Sequence, residues 1–129
     1  TGFDHLLAVT NVFLPNEKEA LSLTGAANVD LAADRLESRV ESLAIKLGAD
    51  GALGASDGAR ARVASIPVQV IDTVGAGDSF DAGFMYGYLN KWPLEKSLRL
   101  ACVCGALSAQ QAGGTYGQPS LHEAMKYVS

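Results

Sequence analysis

The sequence has little of what metal-binding, secreted and nucleic-acid-binding proteins usually carry. Its 129 residues include two cysteines and two histidines, and 10 Lys and Arg stand against 14 Asp and Glu, for a net charge of -4. Binding to a nucleic-acid backbone requires clustered basic residues, so no nucleic-acid partner is expected. His5 and His122 have no Cys or His at metal-ligand spacing, and we interpret both as surface or packing residues.

The sequence also lacks a long hydrophobic run. The apolar stretch 98–107 contains Arg99 and falls far short of the roughly 20 residues that a membrane helix needs. No secretory leader opens the chain, which favours a cytoplasmic protein without a membrane partner.

The two cysteines do not suggest a site of their own. Cys102 and Cys104 are two residues apart in a predicted helix, which directs them about 200° apart around its axis. Sharing a metal is therefore difficult, and two reduced thiols in the core are the expected arrangement.

What is present is an alternation of strand-like and helix-like segments, which predicts a single α/β unit over residues 1–129. Apolar residues make up 48% of the chain, enough for one compact core, and no repeat or low-complexity tract divides it. The alternation favours a mainly parallel sheet covered by helices on both faces, with ligands at the carboxyl ends of its strands. The predicted strands are 12–14, 43–47, 51–55, 60–65 and 68–71. The strands 51–55 and 60–65 are predicted to form an antiparallel hairpin around 56–58. The predicted helices are 17–23, 28–40, 79–90, 94–111 and 120–127.

The most informative motif is DTVGAGDSFDAG, residues 72–83, a glycine-rich turn between a predicted strand and a predicted helix. Backbone N–H groups at a helix start are unpaired and attract anions, so an acid at Asp78 is out of place if a phosphate also binds there. The conflict is resolved if Asp78 faces a substrate hydroxyl while the N–H groups of Gly75, Ala76 and Gly77 face the phosphoryl group being transferred. A turn of this kind can hold an anion and a base together, and a plain strand-to-helix turn is the alternative.

Asn16 and Glu19 lie three residues apart at the start of a predicted helix, on one side of it. One interpretation is structural, because Asn is a favoured N-cap and a Glu three residues later completes a capping box. Capping is compatible with a further role for either side chain.

Together these motifs resemble the ribokinase family of carbohydrate and nucleoside kinases, also called the phosphofructokinase B family. Residues 72–83 are similar to the family's C-terminal signature, and Asn16-Glu17-Lys18-Glu19 to its Asn-x-x-Glu motif. Residues 46–51, Lys-Leu-Gly-Ala-Asp-Gly, resemble its strand-loop segment beside the nucleotide. The three motifs occur in family order over essentially the whole chain.

The resemblance implies a three-layer ribokinase-like fold of which this chain is the C-terminal half, and an ATP-dependent transfer of phosphate to a sugar hydroxyl. Asp78 would be the base that takes the hydroxyl proton. Gly75, Ala76 and Gly77 would form the anion hole, where preorganised N–H donors stabilise the transferred group. Such a transfer depends more on the position of the base than on its strength.

The resemblance also implies cofactor contacts. Asn16 and Glu19 would act on Mg²⁺ and phosphates, largely through water. Asp72 and Thr73 would help hold a monovalent cation such as K⁺ together with the loop 112–115, although a purely structural loop fits equally well. The implied nucleotide contacts are Asn16, Glu19, Lys46, Gly48, Gly51, Cys104 and Ser108; for Lys46 an exposed lysine at a strand end is an equal alternative.

Three other functions share parts of this sequence pattern. A nucleoside kinase of the adenosine type would share the whole pattern. Gly77-Asp78-Ser79-Phe80 also resembles the nucleophile block of Gly-Asp-Ser-Leu esterases, with Ser79 attacking an ester, but no Asp-x-x-His pair follows it. A non-catalytic nucleotide-binding protein is the third.

Family members are well over twice this length, so we expect the chain to be a C-terminal portion that keeps the ATP side and lacks most of the acceptor pocket. Little or no sugar phosphorylation is then expected from it alone. Its first parallel strand would be an open edge, which favours a homodimer or association with the missing half.

Overall fold

The computed structural model describes residues 11–110 and 121–128. A one-turn 3₁₀ helix, Gly48–Asp50, follows the second strand. In chain order the elements are β1 Val12–Phe13, α1 Glu17–Thr24, α2 Val29–Leu36, β2 Ser42–Lys46, β3 Ala52–Ser56, β4 Ala59–Val63, α3 Ala76–Leu89, α4 Leu94–Ala109 and α5 Leu121–Met125.

The four strands form one mixed sheet in the order β1-β2-β3-β4. Strands β1 and β2 are parallel, whereas β2–β3 and β3–β4 are antiparallel. The α/β class is confirmed, but the sheet is mixed rather than mainly parallel among the described residues. The reason is local: the connections after β2 and β3 are too short for a parallel crossover. Asp57 and Gly58, with φ of 49° and 79°, make the tight turn of the predicted β3–β4 hairpin.

Helices cover both faces of the sheet, as predicted. Along β2 the side chains alternate, so Leu43 and Ile45 are fully buried beneath α1 and α2. Ala44 points the other way and packs with Phe84 of α3 and Leu98 of α4. This places α3 and α4 on the face of the sheet that also receives the side chain of Lys46.

The predicted strand 68–71 is wrong. Residues 64–75 have no regular secondary structure, and Val70 and Ile71 are 57% and 62% exposed. The N–H groups of Ile71 and Asp72 donate to the carbonyl of Ala109, at 2.8 and 3.0 Å. The segment therefore caps the end of α4 instead of pairing with a strand, and it carries the chain directly into α3.

The helix starts and stops follow the cap residues. Asn28 is the N-cap of α2, and Gly25 closes α1 with φ of 67°. Helix α2 ends at Leu36, four residues before the predicted end near Val40, although Val40 is still buried. Among the described residues, no helix has both the length and the apolar character to cross a membrane.

Candidate active site

A cavity of about 580 Å³ opens between the carboxyl end of β2, the first turn of α3 and the last turns of α4. Small-molecule sites in proteins commonly have this size. One end carries polar side chains and glycines, among them Asn16, Lys46, Gly48 and Gly77. The rest of the wall is largely apolar and is formed by Ile66, Pro67, Val68, Val70, Phe80, Cys102, Ala106 and Ala109.

The first turn of α3 begins at a glycine because the backbone requires one. Gly75, the N-cap, has φ of 85°, a left-handed conformation that side chains disfavour. The Ala76 N–H donates to the Thr73 carbonyl at 3.1 Å, and the first bond of the helical type runs from the Ser79 N–H to the Gly75 carbonyl at 2.9 Å. The N–H groups of Gly77 and Asp78 precede that bond, so they have no acceptor in a preceding helical turn.

Gly77 leaves space beside this turn. A Cβ added to Gly77 would meet one atom within 4 Å, the Lys46 Nζ at 3.8 Å. Packing among the described residues therefore does not require a glycine here. A glycine that faces a cavity without a packing reason indicates close approach of a ligand to the backbone.

Asp78 is exposed at the third position of α3 and does not line the cavity. Among the described residues no hydrogen bond or ion pair engages its carboxylate, which is therefore available to a substrate. An acid in the first helical turn is favoured by the helix dipole.

Lys46 is the last residue of β2, and its side chain reaches the start of α3. Its Nζ lies 2.8 Å from Asp81 Oδ1 and 5.7 Å from the centroid of the Phe80 ring. Its backbone N–H donates to the Pro15 carbonyl at 2.9 Å, which ties the end of β2 to the residue before Asn16. Only 20% of the Lys46 side chain is exposed, so a freely solvated surface lysine does not describe it.

Asn16 and Glu19 form a complete capping box. Asn16 Oδ1 accepts from the Glu19 N–H at 2.7 Å, and Glu19 Oε1 accepts from the Asn16 N–H at 2.9 Å. The structure therefore confirms the capping role of Asn16 and Glu19. Asn16 also lines the cavity, whereas Glu19 does not.

Gly48 is the first residue of the 3₁₀ turn after β2 and Gly51 follows its last residue, and both line the cavity. Their φ values of 61° and 95° are left-handed. A Cβ on Gly51 would overlap the Val63 carbonyl oxygen, whereas Gly48 has open space around it. The fold therefore requires a glycine at position 51, whereas the missing side chain of Gly48 leaves the rim of the cavity open.

Helix α4 presents a different face to the cavity from the one the sequence analysis named. Cys104 and Ser108 do not line it; Cys102, Gly105, Ala106 and Ala109 do. Cys104 instead packs with Leu100, Val103 and Leu107 against α5. The lining positions follow the helical spacing i, i+3, i+4 and i+7, a signal that could have identified them once Cys102 was chosen as the first.

Both thiols are free and buried, as predicted. Burial raises the pKa of the Cys102 thiol from 9.0 to about 12 and that of Cys104 to about 11. Both therefore remain protonated at neutral pH and contribute to the wall and the core rather than acting as nucleophiles.

The residues predicted to hold a monovalent cation are only partly brought together. Asp72 Oδ1 accepts from the Val74 N–H at 2.9 Å, and Thr73 lines the cavity while Asp72 does not. The loop 112–115, the predicted second half of that site, lies outside the described residues.

Ser79, the nucleophile of the esterase alternative, is only 5% exposed. Within the described part of the chain its hydroxyl has no hydrogen-bond partner, so no base activates it. The geometry gives the esterase alternative no support.

Comparison with known proteins places the chain in a family. Residues 1–121 match the model of the pfkB family of carbohydrate kinases. An uncharacterized sugar kinase of Archaeoglobus fulgidus is 34% identical over 117 residues, which cover 90% of this chain and 46% of that protein.

Solved structures agree with this assignment. A structure named as ribokinase II from Escherichia coli, in complex with ATP and Mg²⁺, matches 97% of this chain and 41% of its own with a TM-score of 0.87 and 27% identity. The adenosine kinase of Sinorhizobium meliloti matches 98% and 39%, with a TM-score of 0.86 and 29% identity. The chain thus spans less than half the length of these relatives. On its motifs, its fold and these matches, the chain belongs to the pfkB family of carbohydrate kinases.

Proposed function

We propose that this chain provides the nucleotide-binding and phosphoryl-transfer side of a kinase that moves the γ-phosphate of ATP to a sugar hydroxyl. The observation that carries the proposal is a cavity lined by Gly77 and Lys46, in which space remains beside two helix-start N–H groups. Membership of the family supports phosphoryl transfer in general. The sugar and its hydroxyl depend on residues that the site does not include.

The apolar and polar residues that line the cavity suit the base and the phosphates of ATP, respectively. The apolar wall formed by Val68, Ala106 and Ala109 suits the adenine base, which is bound mainly by stacking and backbone groups in such pockets. The triphosphate would extend to Gly77, where the N–H groups and the positive end of the α3 dipole favour an anion. We assign the anion hole to Gly75, Ala76 and Gly77. The Ala76 N–H donates to the Thr73 carbonyl in the structure, so it can donate to a phosphate only when that hydrogen bond opens.

Asp78 is proposed as the base. It is exposed beside the end where the γ-phosphate would lie, so an acceptor hydroxyl can reach its carboxylate. In a loose transition state the base chiefly orients the hydroxyl and receives its proton as the bond to phosphorus forms. Charge on the transferred group is stabilised by the N–H donors at the helix start.

The donors present suit Mg²⁺ held chiefly by phosphates and water. Among the described residues no group of three His, Cys, Asp or Glu side chains is arranged to hold a metal. Mg²⁺ commonly keeps several waters and relies on substrate phosphates, so Asn16 and Glu19 would meet it through water. When bound, the ion neutralises phosphate charge. A K⁺ site at Asp72 and Thr73 stays a prediction.

The test is Asp78→Asn in the longest product of the gene, with ADP release measured across sugars and nucleosides. We expect a loss of about 100-fold or more in turnover with ATP affinity retained, because the change removes a proton acceptor and leaves the cavity intact. Asp30→Asn is the control, since Asp30 is also exposed in the first turn of a helix. Unchanged turnover in Asp78→Asn would contradict the proposal; a nucleoside as the preferred acceptor would select the adenosine-type alternative.

The 129-residue chain by itself is expected to bind ATP but to turn over weakly. Asp78 stands in solvent and outside the cavity, so the described residues do not enclose an acceptor next to it. Strong sugar phosphorylation by the purified chain would show that the acceptor site is complete within it.

A further inference from the structure

The position of Lys46 is unusual for a cation. Its ammonium group lies beside the first turn of α3, 3.8 Å from where a Gly77 Cβ would be. That turn is the positive end of the helix dipole, which favours anions and disfavours a positive side chain. A lysine at this position implies that a negative group offsets the positive charges of the ammonium and of the helix start.

Asp81 supplies part of that negative charge. It follows Gly77 by four residues, so the two share one face of α3, turned towards the end of β2. Its Oδ1 lies 2.8 Å from Lys46 Nζ, while 38% of the Asp81 side chain is exposed. The Phe80 ring, 5.7 Å from the ammonium, lines the cavity next to them.

We propose that Asp81 is a positioning residue that holds the Lys46 ammonium against the first turn of α3, where it donates to a phosphate oxygen of the bound nucleotide. The inference rests on the proposed function and adds to it a residue that does not touch the substrate. An ammonium has three donors, so Lys46 can keep its ion pair with Asp81 while it donates to a phosphate.

The physical reason is conformational. A lysine side chain has several rotatable bonds and loses considerable rotamer entropy when it is fixed. The ion pair with Asp81 fixes the side chain before the nucleotide arrives, so less entropy is lost on binding. Preorganisation of this kind raises affinity without adding a contact to the ligand.

The experiment measures binding of Mg·ATP and of adenosine to the chain by calorimetry at fixed salt. The variants are Lys46→Met, Asp81→Asn and the double variant. Glu37→Gln is the matched control, because it breaks a similar, partly exposed ion pair, with Arg60, at 2.7 Å. Thermal unfolding of each variant confirms that it is folded.

Lys46→Met is expected to weaken ATP about tenfold or more, since charge-assisted hydrogen bonds are strong, and to leave adenosine unchanged. Asp81→Asn is expected to weaken ATP about threefold to tenfold through lost preorganisation, again without effect on adenosine. The double variant should bind ATP no more weakly than Lys46→Met, because Asp81 acts only through Lys46.

The sign of the Asp81→Asn effect separates the alternatives. If Asp81 were only a nearby negative charge, removing it would reduce repulsion and tighten ATP binding. Equal or tighter ATP binding by Asp81→Asn, or a further loss in the double variant, would overturn the inference while leaving the proposed function intact. A wild-type chain that bound neither ATP nor adenosine would overturn both.

Discussion

At the residue scale, the space around each glycine separates those that the fold requires from those that it does not. A Cβ on Gly87 would overlap the side chain of Ser97, and one on Gly83 would lie 3.0 Å from the Ala101 Cα. Both glycines therefore let α3 and α4 pack closely. Gly77 has no such neighbour among the described residues, which is consistent with the proposed approach of a ligand.

This difference predicts opposite outcomes for two alanine substitutions in α3. Gly77→Ala should keep stability or raise it by up to about 1 kcal/mol, because alanine favours a helix more than glycine does. It should nevertheless weaken ATP about tenfold, because the methyl group occupies the space beside the N–H groups. Gly87→Ala should cost about 1–3 kcal/mol of folding free energy through overpacking. Chemical denaturation and calorimetry measure both; ATP binding by Gly77→Ala at wild-type strength would contradict the ligand explanation.

At the element scale, local signals in the sequence were sufficient where a turn or cap residue set the structure. The capping box of Asn16 and Glu19 and the hairpin turn at Asp57 and Gly58 both stand where the sequence predicted them. The strand predicted at 68–71 failed because its β-branched pattern is local, whereas a strand needs a pairing partner elsewhere. Here the N–H groups of Ile71 and Asp72 bond to the end of α4 instead.

In the candidate site, too, individual residues could be predicted from the sequence, whereas contacts between elements could not. Asn16, Lys46, Gly48, Gly51 and Gly77 were each predicted for the nucleotide or phosphate side, and all line one cavity. Helix α4 is apolar on nearly every face, so the sequence did not reveal which face turns to the cavity and which packs against α5. The sequence did not indicate Asp81, because its proposed role depends on a contact between α3 and Lys46 of β2.

The two asparagine N-caps test whether the α1 start does more than cap a helix. Asn16→Ala and Asn28→Ala should each cost about 1 kcal/mol of folding free energy, because each removes a side-chain acceptor at a helix start. Only Asn16 lines the cavity, so only Asn16→Ala should also weaken Mg·ATP binding. Urea unfolding gives the first quantity and calorimetry the second. Equal ATP affinity in both variants would leave the capping box as the whole role of Asn16.

At the scale of the whole molecule, the described residues combine a cavity of about 580 Å³ with a strand, β1, at the edge of their sheet. Strand β1 stands at the end of the sheet order, and edge strands offer unpaired backbone groups to another chain. The homodimer, or association with further residues, stays a prediction for sedimentation to test. The chain also spans less than half the length of its relatives, yet the cavity is lined by residues from β2, α3 and α4.

The central claim is that the triphosphate binds at the first turn of α3, and amide NMR of this 13.4 kDa chain tests it most directly. Titration with Mg·ATP should shift the amide signals of Gly77 and Asp78 in a saturable way, because the Gly77 N–H would gain a phosphate acceptor and the Asp78 N–H lies next to it. Gly58, in the distant hairpin turn, should not shift, and adenosine should perturb the α4 wall but not Gly77. Saturable ATP binding that left the signals of Gly77 and Asp78 unmoved would contradict the account.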